Sequence, residues 1–567
     1  MDYKNYGHLA NISLGNEKSS LVLKNAKVIN VFSEEIIPAS IAIENGIIVG
    51  VGDYSGKTEI DLAGRYVCPG FIDSHLHLES TLTDPSSLIQ VALGCGTTTF
   101  IVDPHEAANV SGEAGIDYIL NQTESTDANV FVMLPSCVPA SEFEENGCTL
   151  TAEKMAPYLK NKRVLGLGEV MDYESTTHAK PEMMAKLELF RDRVKDGHAP
   201  SLTDKQLAAY ALAKIKTDHE AISYEYAVKE IRSGIYVHIR EGSGARNLEA
   251  IVTGIVENKT DTERFCFCTD DKHISDIEVE GHINHNVKKS IKLGIDPIKA
   301  IKMATINSAT CYGFQNLGAI APGYRADLIV LDDLENIGIH SVYCDGKLVG
   351  KDYQENDKTV PANLLNTIHI PKITAENIAL PLKSNETIAI EVIEGQIVTR
   401  KKTVKVELRD GYFVPDSNIN KLVVIERHKM TGHVGVAPLI GYGIKNGAVG
   451  TSMSHDSHNI VIVGDNDADI LIALDELYKN GGGYTIVSSG EIVETLPLPI
   501  MGLMTTESGD IVNEKLCKII AKAHEMGIPQ NLDPMVVLSF VALTVLPEIR
   551  LTTKGLFDVE KQKFIER

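Results

Sequence analysis

Between Pro69 and about Thr310 the chain alternates eight short β-type runs with helix-length stretches, and no other feature limits its fold as much. The runs are GFIDSHLHLE, TTTFIVDPHE, VFVMLPSCVP, VLGLGEVMD, the short KDGHAP, AKIKTDHE, IYVHIREGS and RFCFCTDD. Helical material such as KPEMMAKLELFRDRV and DKQLAAYALAKI separates several of them. Eight strands alternating with helices are what a closed (β/α)8 barrel requires. An open doubly wound sheet is the alternative use of the same elements.

Nearly every run finishes in a His, Asp or Glu: His75 and His77, His105 and Glu106, Glu169, His198, His219, Asp270. Barrel enzymes collect their catalytic groups at the C-terminal ends of the strands, where all the βα loops open. At a single strand end an ionisable group marks only the arrival of the chain at solvent. Recurrence at most of eight ends calls for a shared site.

Shorter β runs flank this region. LVLKNAKVINV, SIAIENGIIVGVGDYSG with its Glu-Asn-Gly hairpin signal, and RYVCPG precede it; APGYRADLIVLDDLENIGIHSVYCDGKLVG follows. The two flanks are expected to pair as one small β domain made of residues 1–67 and 316–366, around a barrel of residues 68–315. Beyond the loop DYQENDKTVPANLL, residues 367–567 mix strands such as KLVVIERH and NIVIVG with helices such as DADILIALDELYKN, which predicts a separate α/β domain. Gly481-Gly482-Gly483 reads as a helix stop before a strand, not as a phosphate loop. The expected class is α/β: a (β/α)8 barrel, a β side domain and a C-terminal α/β domain. At 567 residues, several cores are required.

Charge narrows the partners. With 54 basic against 77 acidic residues the net charge is -23, which disfavours nucleic-acid polymers and anionic membrane surfaces. The first twenty residues, MDYKNYGHLANISLGNEKSS, carry no apolar targeting segment, and no run approaches the roughly eighteen apolar residues of a membrane span. Nine cysteines without framework spacing, with Cys266-Phe-Cys268 alternating as in a buried strand, fit a reducing, cytoplasmic setting.

The strand ends supply the parts of a binuclear centre. In an extended strand residues i and i+2 point the same way, so His75 and His77 can grip one ion, with Asp270 completing it. Glu169 is the candidate bridge, and His198 and His219 the candidate ligands of a second ion. Two divalent ions about 3.5 to 4 Å apart share a water and lower its pKa toward neutrality. Asp270, touching both metal and water, would take the proton and pass it to the leaving group. The remaining candidates for substrate contact are Glu106 and His105 in DPHE, Glu174 in MDYES, His282 in EGH, and Arg240 and Ser243 in HIREGSGARN, the last two of which would alternatively cap a helix. His238 is left out of the metal set as a buried, hydrogen-bonded histidine. His455 and His458, spaced i, i+3 for a helical metal clamp, and His428 and His433 fall outside this assignment and suit an interface or a lid over the barrel mouth.

PGFIDSHLHLE, GLGEVMD, GHAP, TDHE and FCTDD, in this order, resemble the amidohydrolase superfamily, and within it the bacterial adenine deaminase family. Most of that superfamily bridges its metals with a carboxylated lysine, whereas Glu169 stands here, as in adenine deaminases. ERHKMTGHVGVAPLIGYGIKNGAVGTSMSHDSHNIVIVG and LPLPIMGLM resemble the C-terminal domain of that family. The resemblance implies hydrolysis of adenine to hypoxanthine and ammonia, two ions of Mn2+ or Fe2+ (Zn2+ being the further choice), and a homodimer or larger homo-oligomer. A cyclic-amide hydrolase with the same machinery, which would normally carry the lysine, and a non-catalytic metal-binding scaffold are the competing readings.

Overall fold

In a computed structural model that describes residues 5–350, 359–394, 396 and 398–566, the eight runs form eight parallel strands closed into a barrel. They are Phe71–Leu76, Thr97–Val102, Asn129–Leu134, Val164–Val170, Val194–Gly197, Thr217–Asp218, Tyr236–Arg240 and Phe265–Cys268. Strands one to five pair in sequence order, as do six to eight. Closure comes from Lys216 N donating to Lys195 O at 2.9 Å between the fifth and sixth, and from a parallel bridge between Leu76 and Asp270. That bridge excludes the open sheet, because first and last strands are neighbours.

Alternation along each strand sorts the side chains. In Phe265–Cys268, Phe265 and Phe267 pack outward with Val237, Ile239, Ile251, Val252 and Val287 of neighbouring strands and helices. Cys266 points the other way, among Ile72, Ile101 and Met133, where Ala309, Cys311 and Tyr312 of helix Ile306–Tyr312 join them. Burying each such phenylalanine contributes about 1.5–3 kcal/mol, so the pattern that reads as a strand also fixes which face is inside.

The two flanks meet in one eight-stranded sheet. Tyr66–Pro69 pairs in parallel with Ser19–Asn30 and antiparallel with Leu328–Leu331, then leads directly into the first barrel strand. The Glu-Asn-Gly signal is a two-residue hairpin between Glu35–Glu44 and Ile47–Gly52, with Asn45 at φ 50° and Gly46 at φ 73°. Gly46 is required twice, since a Cβ there would stand 2.1 Å from Asp345 Oδ1. The polar N-terminal stretch contains helix Tyr6–Ser13, which the sequence reading passed over; Leu9 and Ile12 bury it against Val22, Ala42 and Val49. The first half of the DYQENDKTVPANLL loop, residues 352–358 of the chain, lies outside the described residues.

The C-terminal region is built on its own eight-stranded sheet. Helix Asp467–Lys479 packs on it and ends before Gly481 and Gly482, which lead at φ 71° and 116° into strand Gly483–Ser488; the triple glycine is a helix stop. This region is hydrogen-bonded to the barrel's loops. Thr544 N donates to Glu144 Oε1 at 2.9 Å, Asn459 Nδ2 to Glu145 O at 2.6 Å and Thr505 N to Leu82 O at 3.0 Å.

Candidate metal centre

The strand-end donors converge on one carboxylate. Glu169, in the fourth strand, turns Oε1 toward His75 Nε2 (3.2 Å) and His77 Nε2 (3.0 Å), and Oε2 toward His198 Nδ1 (2.9 Å) and His219 Nε2 (3.6 Å). Oε1 therefore faces His75 and His77, with His105 Nδ1 also 3.4 Å away, and Oε2 faces His198 and His219. Asp270 Oδ1 lies 3.6 Å from His75 Nε2 and 3.2 Å from His77 Nε2. The ligand atoms of His75, His77 and Glu169, of His75, His219 and Asp270, and of Glu169, His198 and His219 each fall within 4.8 Å of one another.

Backbone and neighbouring groups aim these side chains. Asp270 adopts φ 58°, left-handed backbone that aspartate tolerates better than most residues, and its N–H donates to His75 O at 3.0 Å. His77 Nδ1 lies 2.9 Å from Asp103 O, which leaves Nε2 facing inward. Tyr210 OH accepts from His198 N at 3.0 Å and donates to Val170 O at 2.7 Å, tying the fifth strand's end to the fourth's. Beneath, Asp73 accepts from His75 N and Thr269 N, both at 3.2 Å.

All six donor residues are buried, and His75 Nε2 and Glu169 Oε1, which face each other in the cage, have no hydrogen-bond partner. Buried polar atoms are ordinarily satisfied, so an orphaned imidazole nitrogen beside an orphaned carboxylate oxygen fits a cation. Without ions the cage competes for protons. Burial opposes charge on His75, but Glu169 and Asp270 outweigh it and lift its pKa to about 10. Burial likewise opposes charge on His198, while Glu220 and Glu169 raise it to about 9. Against its own burial Asp270 is held well below the usual carboxylate range, first by Arg240 and then by His75 and His77. A donor set of four histidines and two carboxylates suits borderline divalent ions.

The other candidates separate. Arg240 is buried and committed: Nη1 bonds Asp270 Oδ2 at 2.7 Å and also Glu220 Oε1, and Nη2 lies 3.2 Å from Glu220 Oε2. It borders the cavity while holding Asp270. Ser243 lies away from the cavity lining, donating to Asp276 Oδ2 at 2.5 Å and accepting from His273 N at 2.8 Å, at the start of helix Ile274–Glu280. His105 and Glu106 are buried beside the cage, with His105 Nδ1 3.4 Å from Glu169 Oε1. Glu174 is exposed against His178, and His282 sits under the first strand, 3.4 Å from Asp73, so neither faces the cavity. His238 is buried 3.9 Å from Cys311 Sγ.

Residues 455–458 form a turn, not a helix, so the proposed helical clamp is corrected. Only His455 of the four C-terminal histidines reaches the cavity, with Asp456 beside it. His458 takes a bond from Ser454 N at 3.3 Å, His428 lies 2.7 Å from Ser457 O, and exposed His433 pairs with Glu145 at 2.9 Å. A cavity opens above the cage. Met171, Phe540, Leu543 and Leu546 give it apolar walls, and Glu220, Asp271, His455 and Asp456 its polar ones. Three of the walls and two of the polar groups come from the C-terminal region, which local sequence patterns could not connect to the barrel. Glu220 was available in TDHE.

Residues 66–349 match the model of the amidohydrolase family, and residues 396–563 that of the adenine deaminase C-terminal domain. The adenine deaminase of Desulfitobacterium hafniense is 58% identical over 565 residues, covering 100% of this chain and 99% of that one. The adenine deaminase of Clostridium acetobutylicum is 44% identical, covering 98% of both. That of Bacillus pumilus is 40% identical over 99% of this chain and 98% of its own length.

Proposed function

The chain belongs to the adenine deaminase family of amidohydrolases, and from that premise we propose that it hydrolyses adenine to hypoxanthine and ammonia with a metal pair held at the barrel mouth. The observation that carries the reading is Glu169, whose Oε1 faces His75 and His77 while its Oε2 faces His198 and His219. A bridging carboxylate stands where a cyclic-amide hydrolase of this superfamily would carry a modified lysine. A scaffold would need no proton-handling acid at such a centre.

His75, His77 and Asp270 would hold one divalent ion, His198 and His219 the other, and Glu169 both. When bound, such ions would supply the Lewis acidity that makes water a nucleophile near neutral pH. Asp270 takes the proton of the attacking water through Oδ1, the oxygen nearer His75 and His77, while Arg240 anchors Oδ2. Attack at C6 makes a tetrahedral centre; the C6–N6 bond breaks as the proton reaches the departing amine, and ammonia leaves. Met171, Leu543 and Leu546 flank the planar ring and exclude water from it. His105 borders the cavity, Glu106 lies buried behind that lining, and Arg240 acts through Asp270.

Mn2+ or Fe2+ is our choice of metal, with Zn2+ compatible with the donors. No described helix is long and apolar enough to cross a membrane, and all nine cysteines are free, which supports placement in a reducing cytoplasm. Exposed Ile492 and Val493 on the edge strand Glu491–Pro497 support assembly as a homo-oligomer. Loss of the adenine absorbance band, followed for the wild type and Asp270→Asn with a cyclic amide as control, tests the reading. The wild type should turn over adenine and spare the amide, and the folded variant should lose orders of magnitude in rate. Turnover of the amide alone, or an unimpaired variant, would contradict it.

A further inference from the structure

We propose a third divalent-cation site, outside the binuclear cage, joining His105 and Glu106 of the barrel to His455 of the C-terminal region. His455 Nδ1 stands 3.2 Å from Glu106 Oε1, the same spacing that separates imidazole nitrogens from carboxylates in the cage. One donor atom from each of the three residues falls within 4.8 Å of the others, compact enough for a common centre about 2.0–2.2 Å from each. His105 turns Nδ1 toward Glu169 and Nε2 toward Asp456 Oδ1, 3.8 Å away, so its second nitrogen serves this cluster while the first borders the cage. Asp456 lies at the edge of this cluster, beside His105.

Two observations separate this cluster from an ordinary patch of acids. Glu106 is fully buried and Asp456 is 1% exposed, yet Glu106 Oε2 and Asp456 Oδ2 have no hydrogen-bond partner. The surroundings are also short of positive charge. Glu79 and Asp271 face Glu106, Ser80 Oγ donates to its Oε1 at 2.9 Å, and among the described residues His455 is its one ion-pair partner. A buried carboxylate with acidic neighbours needs a proton or a cation, and two imidazoles beside it supply the nitrogen donors of a transition-metal site. Burial together with Glu79 and Asp271 favours the proton when no cation is bound.

Such an ion would fasten the turn at residues 455–458 to the second barrel strand's loop, fixing the C-terminal wall of the cavity. The class of ion is Mn2+, Fe2+ or Zn2+, since histidine nitrogens exclude a pure Ca2+ or Mg2+ cage.

The test is to chelate the full-length protein, dialyse it against Mn2+, and count manganese per chain by mass spectrometry. Wild type should hold three ions, His455→Ala two, and His458→Ala three, because His458 shares the turn but is bonded to Ser454 instead. Two ions in the wild type, or three in His455→Ala, would overturn the site. If His455→Ala fails to fold, anomalous diffraction at the manganese edge on wild-type crystals decides: a third peak bounded by His105, Glu106 and His455 supports the site, and its absence overturns it. The cage reading fails separately, by loss of the two ions at Glu169.

Discussion

Replacing Arg240 by glutamine should destabilise the metal-free barrel and leave a defect that a second substitution relieves. Arg240 is buried with its guanidinium on Asp270 at 2.7 Å and on both oxygens of Glu220. Removing one member of a buried ion group leaves the other charge without compensation and costs about 3–5 kcal/mol. In a barrel of this size each kcal/mol moves the thermal midpoint by about 2–4 °C, so the chelated variant should melt roughly 6–20 °C below the chelated wild type. Circular-dichroism melts in chelator would read this. Arg240→Gln with Asp270→Asn should melt above Arg240→Gln alone, because one uncompensated charge is gone. A single variant within about 2 °C of wild type, under 1 kcal/mol, would show that Arg240 does not neutralise these acids and would refute the positioning role.

Manganese affinity should rise with pH from 7 to 9. With His75 lifted to about 10 and His198 to about 9 in the metal-free cage, both carry protons at pH 7 that an ion must displace, and raising the pH removes that competition. Equilibrium dialysis across that range checks it, and a flat profile would refute the coupling. Gly168→Ala should lower stability by about 1–3 kcal/mol and weaken metal retention, read by melting and metal content. A Cβ there would stand 2.0 Å from Asp103 Oδ2, next to Glu169, and buried Asp103 has little room to yield.

The barrel was legible because its strands carry two messages at once. Phe265 and Phe267 alternate with Cys266 and Cys268, which gives the strand, and the next residues, Thr-Asp-Asp, give the polar mouth. Even the sixth strand, two residues long as Thr217–Asp218, was marked by the His and Glu that follow it. Glu169, His75, His77, His198, His219 and Asp270 could be nominated for the same reason: strand ends of a closed barrel meet.

What escaped were partners set by three-dimensional packing. Arg240 reads as a substrate contact until the sixth and eighth strand ends bring Glu220 and Asp270 to it. Ser243 reads as a pocket residue until the eighth loop folds back onto it. His455 and His458 suggested a helix by spacing alone, while neighbouring contacts impose a turn, with His455 N donating to Ser539 O at 2.8 Å. The meeting of His455 and Asp456 with His105 and Glu106 across some 350 positions of sequence has no local signature.

The central claim is that the cage at Glu169 drives the deamination of free adenine. The most direct measurement follows hypoxanthine and ammonia formed from adenine by the purified chain, first as isolated, then after chelation, then after Mn2+ is restored. The account predicts equimolar products, their loss on chelation and their return with the metal. Undiminished turnover after the ions have been removed, or no turnover of adenine in the fully metal-loaded protein, would contradict it.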